Sequence, residues 1–258
     1  MEELIPLNTW EDFEGELIAI DKRFKERQRQ NRRSNVECPL YRGVGDSEYH
    51  LESTLDRIKR EMQFSDYQTI LEIVNEHVST CTGRKSDLGK KEPKINLGKF
   101  KLPLSTYEFM AYLRHNGFPS PLIDWTKSPY IAAFFAFGDI YSKKEHVSIF
   151  VYTGKCFCGQ NPCIRILGHT IATDPKHYLQ QSEYSICVKG QGEEMCFANH
   201  EDVKDDEGEN ILIKYKIPAS ERQKVLIKLD SMNITAYSLF GSEPSLMETL
   251  ALREIVIK

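Results

Sequence analysis

The chain has 258 residues, of which 40% are hydrophobic, and this is enough for one substantial core or two small ones. Its net charge of -4 and pI near 6.0 argue against a dedicated duplex-binding protein, which displays a basic surface to phosphates. No run of about 18 apolar residues occurs, and the acidic residues 1–15 are unlike a secretory signal. We therefore expect a cytoplasmic protein with no membrane contact.

Apolar periodicity divides the first half of the chain into elements. An amphipathic pattern predicts a helix at about 9–33, which docks through its apolar face on its own domain or on another subunit of a homo-oligomer. Residues 1–35 are expected to be a helical appendage to one globular domain over 36–258. Residues 83–99 are polar and weakly periodic, which predicts a loop insertion. Other expected elements are a strand at 39–44, helices at about 66–80 and 107–114, and a short strand at 121–124.

Strand-forming segments dominate the second half. Runs rich in β-branched and aromatic residues predict strands at 147–152, 184–188, 211–217 and 255–257, with one helix at about 220–230. The result is an α+β fold, in which a mostly antiparallel sheet holds polar residues at the ends of its strands.

Seven cysteines raise two questions, one about redox state and one about metal binding. An odd number in a chain expected in the cytoplasm favours reduced thiols over a disulfide framework. Cys156, Cys158 and Cys163 could supply thiolate ligands to zinc. Because the segment lacks the paired Cys-x-x-Cys spacing of zinc sites, we predict no metal.

The most informative segment covers residues 113–137. It places His115, a Gly-x-Pro turn and the run Asp-Trp-Thr at 124–126 directly before an apolar helix that begins with proline. Thr126 or Ser128 is expected to cap that helix. Polar side chains held at the start of a buried helix are presented from a rigid support, which predicts a functional site.

Together with Leu-Tyr-Arg-Gly at 40–43, this segment resembles the FRG domain family, which is named for an aromatic-Arg-Gly triplet. The family pattern continues as His-x-Gly-x-Pro-x-x-Leu-x-Asp-Trp-Thr-x-Ser-Pro and ends in a Gln-rich strand entry, Ile-Pro and Ser-Leu-Phe. The matching steps lie at residues 40–43, 115–129, 180–181, 217–218 and 238–240. The resemblance covers about residues 36–255. Tyr41 stands where the family has phenylalanine, and residues 182–184 replace its usual Gly-x-Phe.

A more distant resemblance is to ADP-ribosyltransferases. Residues 41–45 look like their first-strand Arg-Gly step, in which the arginine contacts the dinucleotide phosphates. Residues 126–128 before a helix of small and aromatic residues resemble the second motif, and residues 181–183 resemble the Gln-x-Glu step of one branch. The resemblance implies a split-sheet core and NAD as substrate, with a protein or nucleic acid as acceptor. The implied activity is ADP-ribosyl transfer or NAD hydrolysis by a toxin or antiviral defence effector.

The resemblance also implies roles for individual residues, chiefly a phosphate grip by Arg42 and close ligand approach at Gly43. The implied catalytic residues are Arg42, His115, Gln181 and Glu183. The implied NAD-binding residues are Tyr41, Arg42, Gly43, Asp124, Trp125, Thr126 and Ser128.

Simpler roles exist for the same residues. Arg42 could be a buried arginine paired with Asp124, Glu183 could be a strand-edge residue, and His115 could orient its loop. The competing class of function is a non-catalytic module that recognises a nucleotide, a nucleic acid or a protein. A third class is a metal-independent nuclease using His115, for which the sequence shows no second catalytic group.

Overall fold

The computed structural model describes residues 3–30, 37–84, 86–88, 94–97, 101–154, 162–168, 176–192, 194–203 and 211–257. Within these ranges the chain has an α+β fold, built on a mixed, mostly antiparallel sheet of eight strands. None of the helices in this part of the chain is long and apolar enough to cross a membrane.

Ten strands and eight helices are described. The strands are β1 (Glu3–Pro6), β2 (Leu40–Val44), β3 (Lys94–Asn96), β4 (Lys101–Pro103), β5 (Leu122–Thr126), β6 (His146–Tyr152), β7 (Cys163–Ile166), β8 (Ser182–Gln191), β9 (Glu194–Phe197) and β10 (Leu212–Pro218). The helices are α1 (Trp10–Gln30), α2 (Phe64–Thr82), α3 (Leu104–His115), α4 (Pro129–Phe137), α5 (Lys176–Leu179), α6 (Arg222–Ser231), α7 (Ala236–Phe240) and α8 (Glu243–Ala251).

The main sheet has the strand order β1-β10-β6-β2-β5-β8-β7, and β9 pairs with β8. Strand β1 is parallel to β10, and the other described pairs are antiparallel. In the described ladder, β2 meets β5 at a single residue pair, Tyr41 opposite Thr126. This short contact divides the sheet into two halves. Strands β3 and β4 form a separate two-stranded ribbon.

Helix α1 belongs to the main core. Its apolar residues Trp10, Phe13 and Ile20 are buried against helices α4 and α6 and strands β6 and β10, and β1 adds an edge strand to the same sheet. Residues 3–30 therefore share a core with the rest of the domain, and the helix docks on its own chain.

The other half of the sheet has its own core. Helices α2 and α3 cover β5 and β8 and bury the side chains of Tyr67, Tyr107 and Phe109 beside Tyr184. A third cluster, around Trp125, Tyr152 and Leu40, fills the opposite side of the strands. Helix α3 ends at His115, and β5 starts seven residues later, which brings the polar residues of the motif to the junction of the two halves.

Most of the elements predicted from periodicity are confirmed. The predicted strand at 39–44 is β2, the helix at 66–80 is α2, and the helix at 220–230 is α6. Ser128 caps α4, since its hydroxyl accepts a hydrogen bond from the Ile131 amide. The helix predicted at 9–33 is described as far as Gln30, and residues 31–36 lie outside the described ranges.

Three predictions are wrong. Residues 255–257 are not a strand: α8 passes into a π-helical segment at Leu252–Ile257, because neither glycine nor proline follows Pro244. The predicted loop at 83–99 contains β3. The prediction of reduced thiols is wrong for Cys163, which is disulfide-bonded, and is confirmed for the free cysteines Cys38, Cys81, Cys187 and Cys196. A disulfide sulfur is not a thiolate, so Cys163 cannot ligate zinc in this state.

Candidate functional site

A cleft of about 520 Å³ opens where β2 and β5 separate. Its size lies within the range of small-molecule binding pockets. Residues from both halves of the sheet and from the flanking segments line it. They are Tyr41, Arg42, Gly43, Val44, Gly45, Tyr49, Arg57, His115, Asp124, Trp125, Thr126, Phe135, Lys176, Gln180, Ser182, Tyr184 and Phe240.

An ion-pair cluster of Arg42, Asp124 and Arg114 holds the two strands together at the cleft. Nη1 of Arg42 donates to the backbone carbonyl of Asp124 at 2.9 Å and to its Oδ2 at 3.0 Å. Arg114 donates to both carboxylate oxygens, through Nε to Oδ1 and through Nη2 to Oδ2 at 2.7 Å. The guanidinium of Arg42 thus occupies the place where the β2–β5 ladder stops, and it makes the pair with Asp124 that was one of the two alternatives for this residue.

This cluster fixes the charges of its members. Burial alone would raise the pKa of Asp124, but the charges and hydrogen bonds of Arg114 and Arg42 outweigh it and hold that pKa well below its usual range. Burial lowers the pKa of Arg42, against the attraction of Asp124 and with a smaller contribution from Arg114. A guanidinium remains charged even so, because its intrinsic pKa lies far above neutral pH. Asp124 is therefore a carboxylate between two cations.

Among its described lining residues, the cleft carries more positive than negative charge. Arg42, Arg57 and Lys176 line it, and Arg114 lies directly behind Asp124. Asp124 is the one carboxylate among the described lining residues, and both of its oxygens already accept from arginine. Arg42 and Arg57 both line the cleft, and the charge of Arg57 makes a small contribution to lowering the pKa of Arg42. Such a cleft favours an anionic ligand.

Three titratable side chains meet beside these charges, and we call them the histidine–tyrosine cluster: His115, His177 and Tyr184. The Nε2 atoms of the two histidines are 2.6 Å apart, and the Tyr184 hydroxyl is 2.5 Å from His115 Nε2 and 2.8 Å from His177 Nε2. His115 is exposed, whereas His177 and Tyr184 are buried. Helix α3, helix α5 and strand β8 each supply one member.

Gly43 has a packing role. A Cβ atom added there would lie 1.8 Å from the carbonyl oxygen of Ala132 and 2.7 Å from the amide of Ala136, so helix α4 lies directly on the strand. The residue also lines the cleft, but the space that its missing side chain leaves is filled by α4. The resemblance had implied that a ligand approaches the backbone there.

Polar residues of the second motif take part in local hydrogen bonds. Thr126 Oγ1 accepts from the Ser128 amide and donates to the Gln180 carbonyl, and the Ser128 hydroxyl is used by the helix cap. Trp125 lines the cleft but is only 2% exposed, and its Nε1 donates to Ser185 Oγ at 2.7 Å. Thr126 and Trp125 are at the cleft, while Ser128 is not among its lining residues.

Two of the four predicted catalytic residues lie away from the lining. Glu183 is opposite Trp125 in the ladder and pairs with Lys127 at 2.9 Å. Gln181 is exposed and has a positive φ of 49°, at the turn that enters β8. The neighbours Gln180 and Ser182 line the cleft in their place, while Arg42 and His115 are both at it.

Sequence reasoning missed several residues of the site. Arg114 immediately precedes the motif histidine, and its position in the last turn of a predicted helix, ten residues before Asp124, was the available signal. Tyr184 lay in a predicted strand. His177, Arg57 and Lys176 belong to segments without periodicity, so no signal marked them.

Within the described ranges, no group of three or more His, Cys, Asp or Glu side chains is placed to hold a metal ion. Cys156 and Cys158 of the zinc hypothesis lie outside those ranges.

Fold and cleft together define the class: an α+β protein with a cationic cleft at a divided sheet. Residues 38–145 match the model of the FRG domain. The match includes Arg42, His115 and Asp124, and it ends before Gln180 and the C-terminal steps of the resemblance. No curated protein and no solved structure matches the chain.

Proposed function

We propose that the cleft binds NAD or a related dinucleotide and cleaves the bond between its nicotinamide and ribose. ADP-ribose then passes to a macromolecular acceptor or to water. One observation carries the proposal: Arg42, Arg57 and Lys176 line the cleft, and the carboxylate that faces them is already neutralised by two arginines.

A pyrophosphate suits this arrangement. Planar guanidinium groups bind phosphate oxygens in pairs, and a lysine adds a mobile point charge. Because Arg42 is held in place by Asp124, part of its orientation is set before any ligand arrives. Arg57 is exposed and supplies the second guanidinium.

Aromatic side chains provide a place for a base. Phe135 and Phe240 line the same cleft with ring centroids 6.1 Å apart in an edge-to-face arrangement. Tyr49 lines it too and is 54% exposed. The polar and aromatic parts of the lining correspond to the phosphate and base parts of a nucleotide.

Cleavage of the nicotinamide bond makes modest demands on the protein. The leaving group departs as neutral nicotinamide, so orientation of the substrate and stabilisation of the ribose cation supply most of the rate. Asp124 is the one carboxylate of the described lining, and its charge is already shared between two arginines, so we expect orientation of the substrate to contribute more than a carboxylate does.

The second candidate is a binding module without catalysis. It is supported by the same carboxylate, since both oxygens of Asp124 are occupied by arginines, and Glu183 is outside the lining. In this case the cleft would recognise a nucleotide and leave it intact.

A binding and release experiment separates the two candidates. The purified protein is incubated with NAD, nicotinamide release is followed by mass spectrometry, and the midpoint of thermal unfolding is measured with and without NAD. We expect NAD to raise the midpoint, as a ligand of the folded state must, and nicotinamide to accumulate. Binding without release selects the module, and neither binding nor release refutes the nucleotide proposal.

Arg57→Met is the informative variant, with Arg60→Met as its matched control. Arg60 is exposed and pairs with Glu52 outside the cleft. Loss of a charge-assisted contact to phosphate should weaken NAD binding about 10-fold in Arg57→Met, whereas the control should bind as the parent does. Equal binding by all three proteins would contradict a phosphate role for the cleft.

A further inference from the structure

The histidine–tyrosine cluster has fewer hydrogens than contacts. Two neutral imidazoles whose Nε2 atoms are 2.6 Å apart need one hydrogen between them, so one nitrogen donates and the other accepts. The Tyr184 hydroxyl lies within hydrogen-bond distance of both nitrogens and brings one more hydrogen. Two hydrogens serve three short contacts, and a hydrogen can change its partner with little movement of the heavy atoms.

One member of the cluster is accessible and two are enclosed. His115 is exposed and lines the cleft, while Tyr184 is 1% exposed and His177 is 7% exposed. The rings of the two histidines are 4.6 Å apart, and each also contacts the ring of Tyr184 edge-on. A proton accepted by His115 at the cleft therefore has a buried partner behind it.

We propose that His115 is the general base of the cleft and that Tyr184 and His177 are positioning residues that share the accepted proton. The proposal rests on the proposed function. As the acceptor hydroxyl or water attacks C1 of the ribose, the C1–N bond to nicotinamide breaks and its electron pair leaves with neutral nicotinamide. A C1–O bond forms, and the hydroxyl proton passes to the imidazole of His115, whose Nε2 contacts His177 and Tyr184. Because the substrate ring is positively charged, the reaction releases one proton in total, which the cluster takes up and returns to solvent.

The charges around the cluster support a neutral resting state. Among the described residues, Arg114 and Tyr107 lie near it on α3, Asp124 on β5 and Lys176 on α5, while Glu183 is on the opposite face of β8. Asp124 is neutralised by its two arginines, and Glu183 by Lys127. Arg114 and Lys176 oppose a second positive charge, and two imidazolium ions at this distance would repel each other. The cluster is thus built to accept one proton rather than two.

His115→Gln tests the base, with His77→Gln as the matched control on an exposed part of α2. Nicotinamide release is measured from pH 5 to 9, together with the NAD-induced shift in thermal midpoint. In the parent, we expect the rate to fall at acid pH as the cluster becomes protonated. His115→Gln should keep NAD binding, lose about 10²- to 10⁴-fold in rate and lose the acid limb of the profile, while the control matches the parent.

His177→Gln tests the positioning role. A glutamine retains a hydrogen-bonding amide but cannot share the proton, so the acid limb should move along the pH axis while NAD binding is unchanged. Imidazole signals in NMR titrations provide a readout independent of turnover. The parent should show His115 and His177 titrating in coupled steps, and His177→Gln should show a single ordinary step for His115.

The outcomes distinguish the two proposals. A parent protein that releases nicotinamide, with His115→Gln equally active over the same pH profile, refutes the base and leaves the proposed function standing. Independent titration of the two histidines in the parent refutes the shared proton. A parent that neither binds NAD nor releases nicotinamide refutes the proposed function, and the base assigned to it falls with it.

Discussion

Two faces of the same strand pair, β5 and β8, carry very different chemistry. On the open face, Asp124 is opposite Tyr184 and looks into the cleft with His115. On the closed face, Trp125 is opposite Glu183, and Ser185 follows two residues later. The open face holds two arginines, a carboxylate and two histidines, whereas the closed face holds a chain of neutral hydrogen bonds beside the Lys127–Glu183 ion pair.

The neutral hydrogen bonds of the closed face lead from Trp125 to the buried His200. Trp125 Nε1 donates to Ser185 Oγ at 2.7 Å, and Ser185 Oγ is 2.8 Å from His200 Nε2. Burial, with a smaller effect of the Arg42 charge, lowers the pKa of His200 to about 3. His200 is therefore neutral at neutral pH. A charged side chain is buried only where an opposite charge lies beside it. The hydrogen bonds of the closed face hold the strands that carry the charged residues of the open face.

The largest effect is expected for Arg114→Met on the open face. The change leaves Asp124 with one arginine and costs the stability of a broken buried pair, which is about 3–5 kcal/mol. The Arg114 side chain is 10% exposed but that of Asp124 is 37% exposed, so we expect about 3 kcal/mol, at the lower end. Urea unfolding measures it. Arg60→Met is the exposed control, with an expected loss below about 1 kcal/mol. Equal losses in the two variants would show that the ion pairs of the open face do not stabilise the fold.

The closed face is tested by Ser185→Ala. Removing the hydroxyl leaves Trp125 Nε1 and His200 Nε2 without their partner, at an expected cost of about 2 kcal/mol. NAD binding should be unchanged, because the hydroxyl is not at the cleft. Ser220→Ala, an exposed control, should stay within about 0.5 kcal/mol of the parent. A variant that loses NAD binding at full stability would contradict the division between the faces.

The two faces should also lose stability in different pH ranges. His200 has a lowered pKa in the folded state, so the unfolded chain binds more protons between pH 6.5 and about 3, and stability falls as pH falls through this range. The expected loss is about 2 kcal/mol at pH 5. The stability contributed by Asp124 is present above pH 3.8, the ordinary pKa of its carboxyl group, and is lost only as the pH falls below that value. Chemical unfolding at several pH values checks the assignment: His200→Gln should flatten the upper range, and an unchanged slope would contradict it.

The smallest effect is expected for Glu183→Gln. Its partner Lys127 is 31% exposed, so the change should cost about 1 kcal/mol or less and depend on salt. Nicotinamide release should be unaffected, because Glu183 is on the closed face. Release that collapses at unchanged stability would instead make Glu183 catalytic, as its resemblance to a Gln-x-Glu step implied. Lys127→Gln is the control for loss of the ion pair alone.

The elements of the fold were largely predictable. Segments with strong periodicity, such as α2 and β6, appear where the sequence places them, and Ser128 caps α4 as its position before proline predicts. The predicted strand at 255–257 failed because β-branched residues can also continue a helix that nothing interrupts. The small elements β7, β9 and α5 are too short to give a period.

The candidate site was predictable only in part, because its residues come from distant segments. Arg42 and His115 stand in a motif that marks them, whereas His177 meets His115 from 62 residues away with no local signal. Which of Asp124, Trp125 and Glu183 reaches the cleft depends on the register of β5 with β8, and a shift of one residue would exchange the faces.

The amino-acid sequence by itself determined the α+β class, the capped helix after the Asp-Trp-Thr run and the motif matched by the FRG domain. Local periodicity and capping suffice for these, since they act between residues a few positions apart. Tertiary structure alone decided that β2 and β5 separate after one residue pair, that helix α4 fills the space at Gly43, and that two histidines share contacts with Tyr184. These are long-range contacts, set by how the halves of the sheet pack and not by any short stretch of chain.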